Sequence, residues 1–237
     1  MSTTYLAGEQ TKRKILKESR KLFYKNGFPK TSYDDISKAA KVNRALIPYY
    51  FKNKLNLGIK IFQIITDDFN EACGKMFPKD ISIELKTSLN MFAYYRLLKS
   101  QQFARFARQI QCAEAFSEDM ITSEKKFFEE IVHKKDLLSR EEYDILANMD
   151  YGIEKEIIRM AAVDPEADID KMTSIELNIM LGYFGYTKKE IEQIIADSIR
   201  ILDGFNLTVK DKFKIEVSLK AKQPPAPKKR TSSAQSV

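Results

Sequence analysis

Apolar residues recur at intervals of three and four along most of the chain, the signature of helices with one buried face. Ile15, Leu16, Ser19, Leu22 and Phe23 make the first such stripe, with Lys and Arg on the opposite side, so residues 9–26 are expected to form an amphipathic helix. Gly27 stands where a left-handed residue would end it. Thr31 or Ser32 then offers an N-cap for a short second helix, which carries Asp34 and Asp35 in its first turn and Ile36, Ala39 and Ala40 on its inner side. Val42 closes a very short turn, and Asn43 caps a third helix running through Arg44, Ala45, Leu46, Ile47, Pro48, Tyr49, Tyr50 and Phe51. Asn53 opens a longer fourth helix whose stripe includes Leu57, Ile61, Phe62, Ile65, Phe69 and Cys73, before Pro78 stops it. Further helices are expected at about 81–98, 101–115, 118–135, 140–162, 170–184 and 188–203; Ser139 with Glu142 and Thr187 with Glu190 have capping-box spacing. Only Phe213 to Leu219 alternates with period two, as an edge strand or an extended tail would. From Lys220 the chain is rich in Pro and basic residues with little to bury, and disorder is expected there. The fold class is all-α, with a head over 9–57, a helical body over 58–207 and a basic, largely disordered tail over 208–237.

Charge sharpens that division. Residues 12–60 hold 14 basic and 3 acidic side chains, residues 61–207 hold 18 and 27, and residues 208–237 hold 8 and 2. A head this positive draws polyanions, and duplex DNA is the densest common one, because phosphate neutralisation releases condensed counterions. A solvated lysine-rich surface and an anionic membrane are the competing readings of charge alone. Cys73 and Cys112 stand far apart, nothing at the N-terminus has the pattern of a secretory leader, and no window approaches a membrane span. A reducing, cytoplasmic compartment and no membrane partner are therefore expected.

Two short helices across a tight turn, braced by a longer one, outline a helix-turn-helix. Its second helix would present Asn43, Arg44, Ala45, Leu46, Tyr49 and Tyr50 to the major groove. Arg44 can donate two bonds to guanine, Ala45 and Leu46 can meet thymine methyls, and the tyrosine hydroxyls can reach phosphate. Tyr50 fits the small core of the head equally well. Thr31, Ser32 and Lys54 lie at helix N-termini, where backbone N–H groups can hold a phosphate.

These residues carry a resemblance. Thr11-Lys-Arg-Lys-Ile-Leu, Leu22-Phe23, Gly27-Phe28, Thr31-Ser32, Asp35-Ile36, Ala39-Ala40, Val42 and Tyr49-Tyr50-Phe51-Lys52-Asn53-Lys54 with Leu57 resemble the N-terminal domain of TetR-family bacterial transcriptional regulators, over about 47 of 237 residues. The resemblance implies an all-helical homodimer on a near-palindromic double-stranded operator, with a C-terminal domain that binds a small-molecule effector and no cofactor. It places Thr31, Arg44, Tyr49 and Lys54 at DNA-contacting positions. Three residues depart from the family pattern: Lys41 replaces a turn glycine, Pro48 replaces a tyrosine, and Asn56 replaces an acid. Lys41 would be strained if a positive φ is needed there, and Pro48 would kink or tighten the reading helix near its end.

Beyond the head the reading rests on pattern. Ile191, Ile194, Ile195, Ser198 and Leu202 form one face, and Ile175 with Ile179 another on the preceding helix, so both are candidates for an intersubunit four-helix bundle. Intrachain core is the competing reading. An effector pocket is expected from Phe62, Phe69, Phe92, Tyr95, Phe103, Phe106 and Phe116, although aromatics at helical spacing are commonly core; Arg96, Arg105 and Arg108 are candidate anion ligands. A lone histidine, His133, leaves little for a triad or His-pair metal site, and Asp164, Glu166, Asp168 and Asp170 lack the glycine and bidentate acid of a calcium loop. No catalytic residue and no metal site is assigned. The expected protein is a ligand-released repressor, associated with the nucleoid when bound; an architectural DNA-binding protein of the same fold is the alternative.

Overall fold

The computed structural model describes residues 3–113 and 138–220. The expected helix at 118–135, with Phe116 and His133, lies outside the described residues. Helix α1 (Thr3–Asn26) ends at Gly27, whose φ of 84° makes the left-handed stop. Helix α2 (Tyr33–Ala40) opens with a capping box: the Ser32 hydroxyl accepts from the Asp35 N–H, and the Asp35 carboxylate accepts from the Ser32 N–H. Short α3 (Leu46–Phe51) follows, then α4 (Lys54–Met76), capped by the Asn53 side chain. Ile15, Phe23, Ile36, Ile47 and Leu57, each no more than 1% exposed, bind these four helices into one small core.

The body consists of α5 (Ile83–Arg96) with a 3₁₀ turn (Leu97–Lys99), α6 (Gln101–Gln111), α7 (Arg140–Val163), α8 (Ile169–Tyr183) and α9 (Lys188–Leu202). Both capping boxes read from spacing, at Ser139 and at Thr187, are present. Helix α9 packs along α5 and α8, and α7 along α6 and α8. Arg96 ties three of them together, with two bonds to Asp170 and a third to Asp203 at 3.1 Å, so it is a structural tie rather than a free anion ligand. Asp168 caps α8 through the Lys171 N–H, which leaves the acidic loop before it as a helix cap. Among the described residues there is no metal-ligating cluster, and no helix is long and apolar enough to cross a membrane.

A second tie is buried at the end of α6. The Gln111 side chain accepts from the Tyr94 hydroxyl at 2.7 Å and donates to Glu154 at 2.8 Å, while its carbonyl accepts from the Tyr151 hydroxyl at 2.6 Å. Nearby, the Tyr95 hydroxyl donates to Glu176. Burial, together with the neighbouring Asp150 charge, pushes the Glu154 carboxyl up to about 7.

The fold is predominantly helical, and after α9 the chain forms a short hairpin. Strands β1 (Phe205–Lys210) and β2 (Lys214–Leu219) pair antiparallel, with Leu207 opposite Val217 and Lys210 opposite Lys214. The boundary expected at 207 therefore cuts through a strand, and the first part of the tail is a hairpin. Its turn carries two non-glycine residues with positive φ, Lys212 at 61° and Phe213 at 54°. Such geometry in a bulky residue survives only when its surroundings overdetermine it. They do here. Phe213 is fully buried, stacked on Phe106 at 4.9 Å and edge-on to Tyr24 at 5.2 Å. Arg20 of α1 donates to the carbonyls of Lys212 and Phe213 while pairing with Asp68 of α4. The hairpin thus continues from α9 and clasps α1 and α4, joining the last helix of the body to the first helix of the head.

Candidate nucleic-acid interface

The turn between α2 and α3 is made by Lys41, at φ 56° and ψ 49°, so the position where a glycine would be usual does require a left-handed residue. Asn43 then accepts from the Ala45 N–H through its side chain, turning the chain into α3. The helix begins at Leu46, two residues later than Arg44, and its opening is tight: the N–H groups of Leu46 and Ile47 reach the carbonyls of Asn43 and Arg44, three residues back. Pro48 consequently lies in the first turn. The Arg44 carbonyl it would have bonded is already taken by Ile47, so proline tightens the start of this helix rather than kinking its end.

The other end stops as sharply. Lys52 has φ 61° and ψ −59°, and the Asn53 N–H donates to the Phe51 carbonyl at 2.7 Å, a γ-turn of the rare, strained hand. Replacing Lys52 by glycine should therefore stabilise the protein by about 0.5–1 kcal/mol, the strain relieved less the extra chain entropy of glycine. A small rise in Tm measured by calorimetry checks this; an unchanged or lower Tm would show that the turn is unstrained.

Between these two turns the exposed face consists of Asn43, Arg44, Ala45, Pro48 and Tyr49, the last 77% exposed. Exposed Lys41 and Lys52 stand at its ends. Both lysines, and Pro48, were missed as surface candidates, although their charge and their place beside the third helix were visible in the sequence. Arg44 is not free: it pairs with Asp34 of α2 at 3.0 Å. Leu46 is half-buried. Tyr50 is half-buried too, with its ring edge-on to Tyr49 and the Lys12 ammonium 5.5 Å from its centre, so it belongs partly to the packing between α3 and α1.

The residues expected at helix N-termini divide. Ser32 is exposed, with its hydroxyl and N–H engaged by Asp35. Thr31 is 1% exposed, and its hydroxyl donates inward to the Gly27 carbonyl at 2.9 Å. It closes the C-terminal end of α1 and presents no hydroxyl to the surface. The Lys54 ammonium donates to the carbonyls of Phe28, Pro29 and Thr31 and lies 4.9 Å from the centre of the Phe28 ring. Three carbonyls left without helical partners in that loop take the charge that a phosphate was expected to take.

In the body, Phe62, Phe69, Phe92, Tyr95, Phe103 and Phe106 are all at most 4% exposed. Phe62 stacks on Phe103 at 6.2 Å, and Phe69 meets Tyr94 edge-on. These rings are packed core in this structure, as alternating large apolar groups on adjacent helices tend to be. Of the expected seam residues, Ile191, Ser198 and Leu202 are buried within the chain, and Ser198 donates to Ser88 of α5 at 2.8 Å. Ser198 thus faces α5, while Ile191 lies next to Gly182 of α8; Ile194 and Ile195 are half-buried. Ile175 and Ile179 are instead about half exposed, and Tyr183 continues their stripe one turn on. A glycine not singled out from sequence locks head to body. A Cβ on Gly58 of α4 would come within 2.6 Å of Ile110 in α6 and 2.8 Å of the Phe28 ring.

The comparisons agree with this geometry. Residues 15–58 match the family model described as bacterial regulatory proteins, tetR family. The HTH-type transcriptional repressor NicS of Pseudomonas putida is 38% identical over 68 residues, 29% of this chain and 32% of that protein. The match thus spans about a third of that relative. In fold, the chain is similar to full-length TylP, a TetR regulator from Streptomyces fradiae, with TM-score 0.54 and 16% identity over 82% of this chain and 97% of that one. It is also similar to SmeT, the repressor of the Stenotrophomonas maltophilia multidrug efflux pump SmeDEF, with TM-score 0.54 and 16% identity over 77% of this chain and 94% of that one. The family match thus covers the head, over residues 15–58, and the likeness of the whole chain to these structures is one of fold.

Proposed function

We propose that the protein is a cytoplasmic transcriptional regulator that reads a near-palindromic duplex through α3, works as a homodimer, and is released from its operator by a small molecule. The observation that carries the DNA reading is the exposed face of α3. Tyr49 on α3 is exposed together with Asn43, Arg44 and Ala45 in the turn that leads into it, within a segment of 14 basic and 3 acidic side chains. One recognition helix contacts few base pairs, so useful affinity needs a second half-site and hence a partner copy. The uncovered stripe of Ile175, Ile179 and Tyr183 on α8 supports that partner as a second copy of this chain.

The test is titration of labelled duplexes tiled from DNA flanking the coding region, at fixed salt, against a scrambled control. Preference for one tile by about a thousandfold or more supports a regulator. Equal binding to every tile supports the architectural alternative, and no binding removes the DNA reading. Within that assay, Arg44→Ala should cost about 1–3 kcal/mol on the preferred tile and relax discrimination at one base pair. Asp34→Asn should instead tighten binding by a factor of up to about five, because it frees Arg44 from an exposed pair of the kind worth no more than about 1 kcal/mol. If both variants bind like wild type, Arg44 does not reach the groove. Ile179→Asp should yield a folded monomer by analytical ultracentrifugation; an unchanged dimer places the seam elsewhere.

A further inference from the structure

Between α1, α4 and the hairpin lies a cleft of about 840 Å³, within the size range of small-molecule sites. Leu16 of α1 and Ile64 of α4, both half-buried, give it an apolar floor. Arg13 and Lys17 rise from α1 on one side, and Lys210 and Lys212 from the hairpin on the other. Among the described residues none of these four lies within ion-pair distance of an acid, although Lys210 feels the charge of Glu216, and the cleft's acids Asp68 and Glu216 are themselves held by Arg20 and Lys214. Asp211 is the one acid left to oppose them among the lining residues. Arg13 and Lys17 are moreover spaced four apart on one helix face, where like charges repel. Walls of low dielectric concentrate the field of such a cluster, which favours an anion from solution.

We propose that this cleft binds a small amphipathic anion, its acidic group between the α1 and hairpin cations and its apolar part on Leu16 and Ile64. This inference rests on the regulator reading only for its consequence. A ligand touching both the head and the hairpin that continues from α9 would bias the head's orientation by its differential affinity for the two arrangements.

The full chain without DNA should be titrated by calorimetry with decanoate, with decyltrimethylammonium and inorganic phosphate as comparators. Decanoate should bind at least about tenfold more tightly than either. The double variant Arg13→Gln, Lys17→Gln, at exposed positions that leave the fold intact, should weaken decanoate about fivefold or more, and Ile64→Asp should do the same by wetting the floor. Comparable binding of the cation, decanoate affinity unmoved in both variants, or no decanoate binding up to about 1 mM would each overturn the site. If the double variant weakens duplex binding while decanoate does not bind, the cations serve DNA, and the proposal fails. Decanoate binding with the expected sensitivity in a protein that selects no duplex would uphold the site and reject the regulator reading.

Discussion

Replacing Phe213 by alanine is expected to lower the free energy of unfolding by about 3–5 kcal/mol, the usual cost of emptying a fully buried aromatic site. The ring has no exposed surface, stacks on Phe106 and meets Tyr24. Nothing in the hairpin itself replaces those contacts. Once the ring no longer anchors it, the left-handed turn at Lys212 and Phe213 can relax towards negative φ, which returns some strain but gives up the turn's other contacts. Arg20 then loses two carbonyl partners. Chemical denaturation gives the global number, and amide hydrogen exchange over β1 and β2 shows where the loss is felt. Protection should fall there first, while a change below about 1 kcal/mol would mean that the hairpin is an ornament on an independently stable bundle.

The second large effect is one of pH. Glu154 has its ordinary value near 4.5 in the unfolded chain and about 7 in the fold, because burial disfavours its charged form and Asp150 adds to the repulsion. Between those values the native carboxyl keeps a proton that the unfolded chain has released, so stability falls as pH rises through that window. Below it both states are protonated; above it the penalty is constant, on the order of 3 kcal/mol. Glu154→Gln keeps an acceptor for the Gln111 amide and removes the charge. The variant should therefore match wild type near pH 4 and exceed it by about 2–3 kcal/mol at pH 8. Subtracting the two curves cancels the surface carboxylates, such as Asp35 and Glu142, whose hydrogen-bonded partners act in the opposite direction. A difference that does not change with pH would show that folding leaves the Glu154 carboxyl at its unfolded value.

Much of this architecture was legible along the chain, for a reason that lies in local physics. Helix stripes, the Gly27 stop, the Asn53 cap and the boxes at Ser139 and Thr187 depend on residues within four positions of one another, so spacing alone specifies them. The same holds for the outline of the helix-turn-helix head. Strand β1 was legible in principle, since Phe205, Leu207 and Val209 alternate with polar residues, but its period is hidden by the helix that runs into it. Phe213 looked like the first residue of the second strand, whereas it forms the turn, and packing against Phe106 and Tyr24 with the Arg20 bonds to the turn carbonyls makes that backbone tolerable.

What tertiary structure decided is which of several suitable chemical groups is still available. Thr31 and Lys54 carry the hydroxyl and ammonium that a phosphate would use, yet loop carbonyls brought close by folding engage both. Arg44 is exposed but held by Asp34, ten residues away. Ile191 and Ile179 are equally apolar in sequence; folding buries the first within the chain and leaves the second about half exposed. By itself the sequence determined the helices, their caps and the basic head, because those follow from nearest neighbours on a helix. The hairpin clasp, the buried polar tie at Gln111 and the assignment of each face to core or solvent were decided by contacts between residues far apart in the chain, which no local spacing encodes.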